Sequence, residues 1–208
     1  ELAERGELAA DRAVLALGNL APATPPGADA ELLASDRYEP DPWDAGLVGR
    51  AAGDRSILLL GTGLTMVDVA LALGEANPDA SLYAASRSGL ICQRHSDVLV
   101  RPARAFGPVP LRPRLYDLVR RIEAEARATV RRGGDWRSVV DSLRPVTNEI
   151  WARLSDADRR LFMRRYVRRW EIHRHRMAPE IAELLGRLRE SGRLRIEAIF
   201  TPGHAAGH

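Results

Sequence analysis

Two short apolar runs along the chain predict strands of a buried parallel sheet. The first, at residues 56–60 (SILLL), is broken at once by Gly61-Thr62-Gly63. Apolar residues with helical spacing follow over residues 64–73, and Gly74 is the expected stop of that helix. The second run occupies residues 81–85. A strand, a glycine turn, a helix and a strand in this order predict one βαβ unit.

The segment from 111 to 178 has the spacing of helices instead. An amphipathic pattern runs from Leu115 to Val130 and ends at Gly133-Gly134, and a capping box at Ser155–Asp158 predicts another helix start. The aromatic residues that follow recur at every fourth position: Phe162, Tyr166 and Trp170. This interval favours the buried face of a helix over a platform for stacking bases.

The two ends of the chain are predicted from the same kind of pattern. Residues 13–17 have the pattern of a buried strand, and residues 18–50, which include the Pro-rich segment 21–27, have that of a connector. Near the other end, Pro179 suits the first turn of a helix, which leads to a strand at residues 194–196. That late strand can rejoin the sheet.

The predicted fold is an α/β, Rossmann-like, three-layer NAD(P)-binding domain with a mainly helical insertion. Residues 1–50 are expected to hold a strand and a connector, and residues 51–100 the Rossmann βαβ unit. Residues 101–178 would then form an Arg-rich helical insertion, and residues 179–208 the closing helix and strand of the Rossmann domain.

Composition narrows the classes of function. The chain has 208 residues, of which 45% are hydrophobic and 28% charged, and its apolar runs are far shorter than the roughly 20 residues of a membrane-spanning helix. We therefore expect no membrane span and, with one cysteine and no signal-peptide pattern, a cytoplasmic protein. All 31 basic residues are arginine, which excludes a Schiff-base lysine and a P-loop lysine.

Charge is strongly segregated along the chain. Residues 101–176 hold 20 arginines and 9 acidic residues, a balance of +11. Two interpretations stay open: solvated helix faces, or a surface for an anionic partner such as a nucleic acid. In the second case the stacking residues would be Trp136, Trp151, Phe162, Tyr166 and Trp170. Their helical spacing disfavours a nucleic-acid partner.

The glycine turn carries the main chemical prediction. A glycine turn between a strand and a helix binds pyrophosphate, because free N–H groups at the helix N-terminus and the positive end of its dipole face the anion. Gly61 permits the tight turn and Gly63 the close approach of the backbone, and Thr62, Leu64 and Thr65 complete the predicted cofactor-binding turn. The alternative is a turn that binds no ligand, which Met66 favours because the third position of the fingerprint is usually glycine or alanine.

The end of the second strand predicts which nucleotide is bound. An acidic residue there suits the ribose 2′-hydroxyl of NAD, whereas an arginine suits the 2′-phosphate of NADP. The strand ends in Ser86 and Arg87, with no carboxylate. We therefore expect NADP rather than NAD, with Arg87 as the phosphate partner and Ser86 as a hydrogen-bond donor. An ordinary solvated Arg87 is the alternative.

The histidines and the cysteine give weaker predictions of a functional site than the glycine turn does. His173 and His175 would lie about 200° apart on a helix and could not share one ion, so no metal site is predicted and their role stays open. His95 follows the second strand, where a residue at the edge of a cofactor could lie, but a surface position is favoured. Cys92 is expected to be buried or half-buried, although Arg94 nearby could lower the pKa of its thiol. No catalytic residue can be assigned.

Four segments carry a resemblance to a known family: Val14–Asn19 (VLALGN), Leu60–Asp68 (LGTGLTMVD), Ser86–Leu90 (SRSGL) and Trp170–Pro179 (WEIHRHRMAP). They resemble the FAD/NAD(P)-binding proteins related to flavin-containing and N-hydroxylating monooxygenases, and especially their largely uncharacterised bacterial branch. The resemblance covers nearly the whole chain.

The resemblance implies an activity for which this chain supplies only one of the binding domains. In that family an N-terminal glycine-rich βαβ unit binds FAD, and NADPH reduces the flavin, which can then activate oxygen. Residues 1–55 contain no strand running into G-x-G-x-x-G, so the chain is expected to be a fragment that begins late in the FAD domain. The resemblance thus implies that residues 1–50 hold the C-terminal remnant of an FAD-binding domain and a connector. The resemblance therefore implies the NAD(P)H-binding portion of an FAD-dependent oxidoreductase, acting on an unknown small-molecule substrate.

Overall fold

The structure is a computed structural model that describes residues 11–12, 14, 22–25, 27–98 and 108–199. The chain divides into two compact units, Glu1–Leu47 and Val48–His208. In the first, the described residues include one short helix, α1 (Ala30–Ala34), whose N-cap Asp29 accepts a hydrogen bond from the N–H of Leu32. The strand predicted at residues 13–17 lies, apart from Val14, outside the described residues.

The second unit contains a three-stranded parallel sheet in the order β1-β2-β3. The strands are β1 (Ser56–Leu60), β2 (Ser81–Ser86) and β3 (Leu194–Ala198). The two strands predicted from apolar runs and the late strand are therefore confirmed, and β2 lies between the other two. The described chain is a mixed helix and strand structure of the α/β kind.

Two helices that precede strands of this sheet in the chain contact it. They are α3 (Leu64–Ala76), which follows the glycine turn, and α9 (Pro179–Glu190), which begins at the predicted proline. The prediction that Gly74 ends α3 is wrong, because the helix continues to Ala76. A Cβ at Gly74 would lie 3.1 Å from both methyl carbons of Leu188. Glycine is therefore used at this position for the close packing of α3 against α9.

The two faces of the sheet differ in burial. Leu82, Ala84 and Leu194, which share one face, are 0–2% exposed. On the other face, Leu58 and Leu60 of β1 are 61% and 53% exposed. The helices thus bury one face of the sheet, and apolar side chains of β1 remain open on the other.

Between β2 and α9, the described residues are mainly helical. The elements are α4 (Leu115–Arg131), α5 (Arg137–Ser142), a 3₁₀ turn (Arg144–Val146), α6 (Thr147–Arg153), α7 (Asp156–Leu161), a π-helical turn (Phe162–Tyr166) and α8 (Val167–Arg174). Two shorter elements, α2 (Leu47–Arg50) and a 3₁₀ turn (Ala51–Gly53), precede β1. The predicted helical segment is confirmed where the structure describes it.

This helical region has its own core. Leu115, Leu118, Leu143 and Leu154 are buried together, and the aromatic stripe packs against them: Phe162, Tyr166 and Trp170. The preference for core aromatics is confirmed, and so is the capping box, since the Ser155 hydroxyl accepts from the N–H of Asp158 at 3.1 Å. The π-helical turn was not predicted. Across the described residues, no helix combines the length and the apolar character needed to cross a bilayer.

Candidate functional site

The turn after β1 has a backbone that requires glycine at its first position. Gly61 has φ +111°, a region that residues with a Cβ rarely adopt. Its N–H donates to the carbonyl of Ala85 at 2.7 Å, which continues the pairing of β1 with β2 into the turn. The turn is therefore held at the carboxyl end of the sheet.

Gly63 differs from Gly61, because its backbone has a conformation that residues with a side chain also adopt. Its φ is −81° and its ψ −173°, and a Cβ built there has no atom within 4 Å. Gly63 is the N-cap of α3 and provides no side-chain cap for the first N–H groups of this 13-residue helix. Open space thus lies in front of the positive end of a helix dipole, next to the exposed Leu64 and Thr65.

Thr62, between the two glycines, lies at the centre of a hydrogen-bond network. It is 2% exposed, and its hydroxyl donates to the Leu90 carbonyl at 2.6 Å. Since that bond uses its one proton, the Ser86 hydroxyl must be the donor in the 2.8 Å contact between Ser86 Oγ and Thr62 Oγ1. Ser86 Oγ also accepts the N–H of Gly89 at 3.1 Å. The network joins the glycine turn to the end of β2 and to the loop behind it.

Arg168, on α8, completes this network, and sequence reasoning missed it. Its Nη2 donates to the Thr62 carbonyl at 2.8 Å, to Thr62 Oγ1 at 3.1 Å and to the Leu90 carbonyl at 2.8 Å. Its Nη1 lies 3.5 Å from Glu171 Oε2. A residue 106 positions away in sequence therefore holds the glycine turn.

Backbone pairing explains how α8 reaches the turn. The N–H of Gln93 donates to the Ile172 carbonyl at 2.9 Å, and Gln93 and His95 exchange two hydrogen bonds of 2.8 Å with Met177. The segment after β2 is thereby joined to the end of α8. No local pattern distinguishes Arg168 from the other arginines of this region. In addition, the π-helical turn before α8 shifts by one residue the positions of α8 that face the glycine turn.

The predicted specificity residues lie at the same edge of the sheet. Ser86 is the last residue of β2, and its hydroxyl already bonds to Thr62. Arg87, the next residue, is exposed. Met66 is 5% exposed and belongs to the buried face of α3. The structure thus groups Gly61, Thr62, Gly63, Leu64, Thr65, Ser86 and Arg87 at the carboxyl ends of β1 and β2.

Cys92 is buried close to this network. It is 3% exposed, and burial raises the pKa of its thiol above the ordinary value. The nearby cation is Arg168, which only partly opposes this rise, while Glu171 adds to it. The suggestion that Arg94 lowers the pKa of Cys92 is therefore wrong in direction and in partner.

The side chain of His173 contacts residues other than those of the glycine turn. The ring of His173 packs edge-on against Trp136 with centroids 5.1 Å apart, and its Nδ1 lies 2.7 Å from the Arg169 carbonyl. His175 follows α8 in extended conformation and is exposed. Within the described ranges, no group of three or more His, Cys, Asp or Glu side chains could hold a metal ion.

Many of the arginines in the helical region pair with acids. Ion pairs of 2.6 to 3.6 Å join Arg127 to Glu123, Arg132 to Glu125, Arg137 to Asp135, Arg153 to Glu149 and Arg159 to Asp156. These pairs hold five arginines to neighbouring acids. Because those acids are already counted in the +11 balance, the net excess of positive charge remains, and both interpretations of this surface stay open.

Comparison of the chain with protein-family models, curated proteins and solved structures finds no match. The resemblance to flavin-dependent monooxygenases therefore stays a prediction.

Proposed function

We propose that this chain is the NAD(P)H-binding portion of an FAD-dependent oxidoreductase. The observation that carries the proposal is Gly63: its backbone has an ordinary conformation, and a Cβ would meet only open space. Within the described chain, nothing at this position excludes a side chain. A ligand that approaches the backbone closely, as a pyrophosphate does, is a reason for glycine here.

The surroundings of Gly63 fit the chemistry of a dinucleotide. The helix N-terminus supplies N–H donors and a positive dipole for the pyrophosphate, with Leu64 and Thr65 as its first residues. Arg87 is exposed at the end of the neighbouring strand, where the 2′-phosphate of NADP would lie. We therefore favour NADP over NAD as the bound nucleotide.

A Rossmann-like three-layer arrangement is part of the same proposal. Parallel sheets are as a rule covered on both faces, whereas Leu58 and Leu60 of β1 are more than half exposed. A third layer over this face would complete the arrangement.

The redox chemistry belongs to the cofactors. In the proposed protein NADPH held by this chain would supply a hydride, and FAD would be its acceptor. This chain contributes the binding and orientation of the pyridine nucleotide. The proposal includes a cytoplasmic location and an unidentified small-molecule substrate.

Calorimetric titration of the 208-residue chain with NADPH and NADH tests the proposal, and Gly63→Ala makes the test specific. Because the backbone at Gly63 suits alanine, we expect the free energy of unfolding to change by less than about 1 kcal/mol. The added methyl group would lie where the pyrophosphate approaches. We therefore expect NADPH affinity to fall at least about tenfold.

Two other glycine variants are the controls. Gly61→Ala strains a residue with φ +111° and should destabilise the fold by about 1–2 kcal/mol. Gly186→Ala, on α9, also adds a Cβ into open space and should leave NADPH affinity unchanged. The proposal fails if the unmodified chain binds neither nucleotide, or if Gly63→Ala binds NADPH as well as the unmodified chain.

The alternative of an anionic macromolecular partner has a separate test. A nucleic-acid site would show polynucleotide binding whose affinity falls steeply with salt. Because the aromatic stripe packs on a core and does not form an open platform for stacking bases, we expect no polynucleotide binding even at low salt. Tight, salt-sensitive binding would support this alternative.

A further inference from the structure

Arg168 fixes the orientation of the peptide group between Thr62 and Gly63. Its Nη2 donates to the Thr62 carbonyl at 2.8 Å. In a planar trans peptide the C=O of one residue and the N–H of the next point in opposite directions. The N–H of Gly63 is therefore directed away from Arg168.

This peptide group would be free to rotate without such a contact. Rotation by half a turn changes ψ of Thr62 and φ of Gly63, and glycine tolerates either value of φ. After rotation, the Thr62 carbonyl would take the place of the Gly63 N–H. A site for an anion would then present an acceptor in place of a donor.

The guanidinium is itself held in place. The same Nη2 reaches Thr62 Oγ1 and the Leu90 carbonyl, and Nη1 pairs with Glu171 one helical turn away. The Thr62 side chain is in turn fixed by Ser86 and Leu90. The contacts reach both sides of the turn, so that the helical region and the strand ends determine one peptide orientation.

We propose that Arg168 is a positioning residue for nucleotide binding: it holds the Thr62–Gly63 peptide so that the Gly63 N–H faces the pyrophosphate. The ligand named in this inference rests on the proposed function, whereas the contacts of Arg168 with the turn do not depend on it. Arg168 would act from behind the turn and would not itself contact the phosphates. The helical region would thereby take part in the nucleotide site.

The test compares Arg168→Met, which keeps the apolar stem and removes the donors, with Arg168→Lys, which restores a charged donor. Arg169→Met, at the next position of the same helix, removes an equal charge from an exposed side chain and is the matched control. Two quantities are measured on the full chain: the ¹⁵N–¹H signal of Gly63 without nucleotide, and the dissociation constant of NADPH. Should Arg168→Met not fold, Arg168→Gln, whose shorter side chain falls short of the turn, replaces it.

We expect Arg168→Met to shift, split or broaden the Gly63 signal and to raise the NADPH dissociation constant about tenfold. Arg168→Lys should restore a single Gly63 signal and most of the affinity, and Arg169→Met should change neither. An unchanged Gly63 signal in Arg168→Met overturns the inference, including the case in which affinity falls, since the effect of Arg168 would then not act through the Thr62–Gly63 peptide. If the unmodified chain binds no nucleotide, the proposed function fails, and the Gly63 signal alone decides whether Arg168 positions the turn.

Discussion

Arg176 and Asp141 form an ion pair in which the arginine side chain is 2% exposed and the carboxylate 19% exposed. Asp141 lies on α5, and Arg176 lies in the segment between α8 and α9. The guanidinium also lies 5.9 Å from the ring centre of Trp136. Its Nε is buried and has no hydrogen-bond partner in the described part of the chain, so the pair with Asp141 carries most of the compensation for a buried charge.

Removal of the carboxylate should therefore be costly. We expect Asp141→Asn to lower the free energy of unfolding by about 3–5 kcal/mol, because it leaves the Arg176 charge uncompensated. Arg144, which is 47% exposed and pairs with the same carboxylate at 3.2 Å, provides the control. Arg144→Ala should cost less than about 1 kcal/mol. Urea unfolding midpoints compare the two, and equal small losses would contradict the role of burial.

Arg87→Ala should change nucleotide preference without changing the fold. Arg87 is exposed at the end of β2, so its loss should leave the unfolding temperature within error. A charged hydrogen bond to the 2′-phosphate would be lost, and NADPH affinity should fall about tenfold or more while NADH affinity stays constant. Parallel titrations with the two nucleotides provide the measurement. An equal loss for both would remove Arg87 from the 2′-phosphate site.

The Cys92 thiol should be unreactive in the folded protein. Burial both blocks access to it and raises its pKa, which lowers the fraction of thiolate at neutral pH. With a disulfide reagent such as dithiobis(nitrobenzoate) we expect slow modification in buffer and fast modification in urea. Rapid reaction of the native chain would show that the loop after β2 opens readily.

His95 should make the chain less stable in mild acid. Desolvation and the charge of Arg176 lower the pKa of His95, and Arg137 and Arg144 act in the same direction against Asp141. A lowered pKa in the folded state means that this contribution to stability is complete above about pH 6.5 and is lost as the pH falls through the folded pKa. In His95→Asn the decline of stability between pH 7 and pH 5 should be shallower. An NMR titration of the His95 ring measures the pKa directly, and a value above that of free histidine would reverse the prediction.

Local patterns predicted the elements well and their contacts poorly. The apolar run at β1 and the proline at the start of α9 each mark an element that the structure contains. The pattern around Gly74 was misleading, because a glycine that ends a helix and a glycine that lets two helices approach look alike in sequence. Only the position of Leu188 distinguishes the two.

The sequence by itself determined the strand, glycine turn, helix and strand order, because periodicity and backbone freedom are local properties of a chain. It also placed the candidate nucleotide residues at Gly61–Thr65 and at Ser86 and Arg87, since they lie at strand ends or directly after them. The tertiary structure alone decided that Arg168 holds the turn and that Arg176 is buried against Asp141. Those contacts join residues 106 and 35 positions apart, and among many similar arginines only the packing of the helices determines which ones make them.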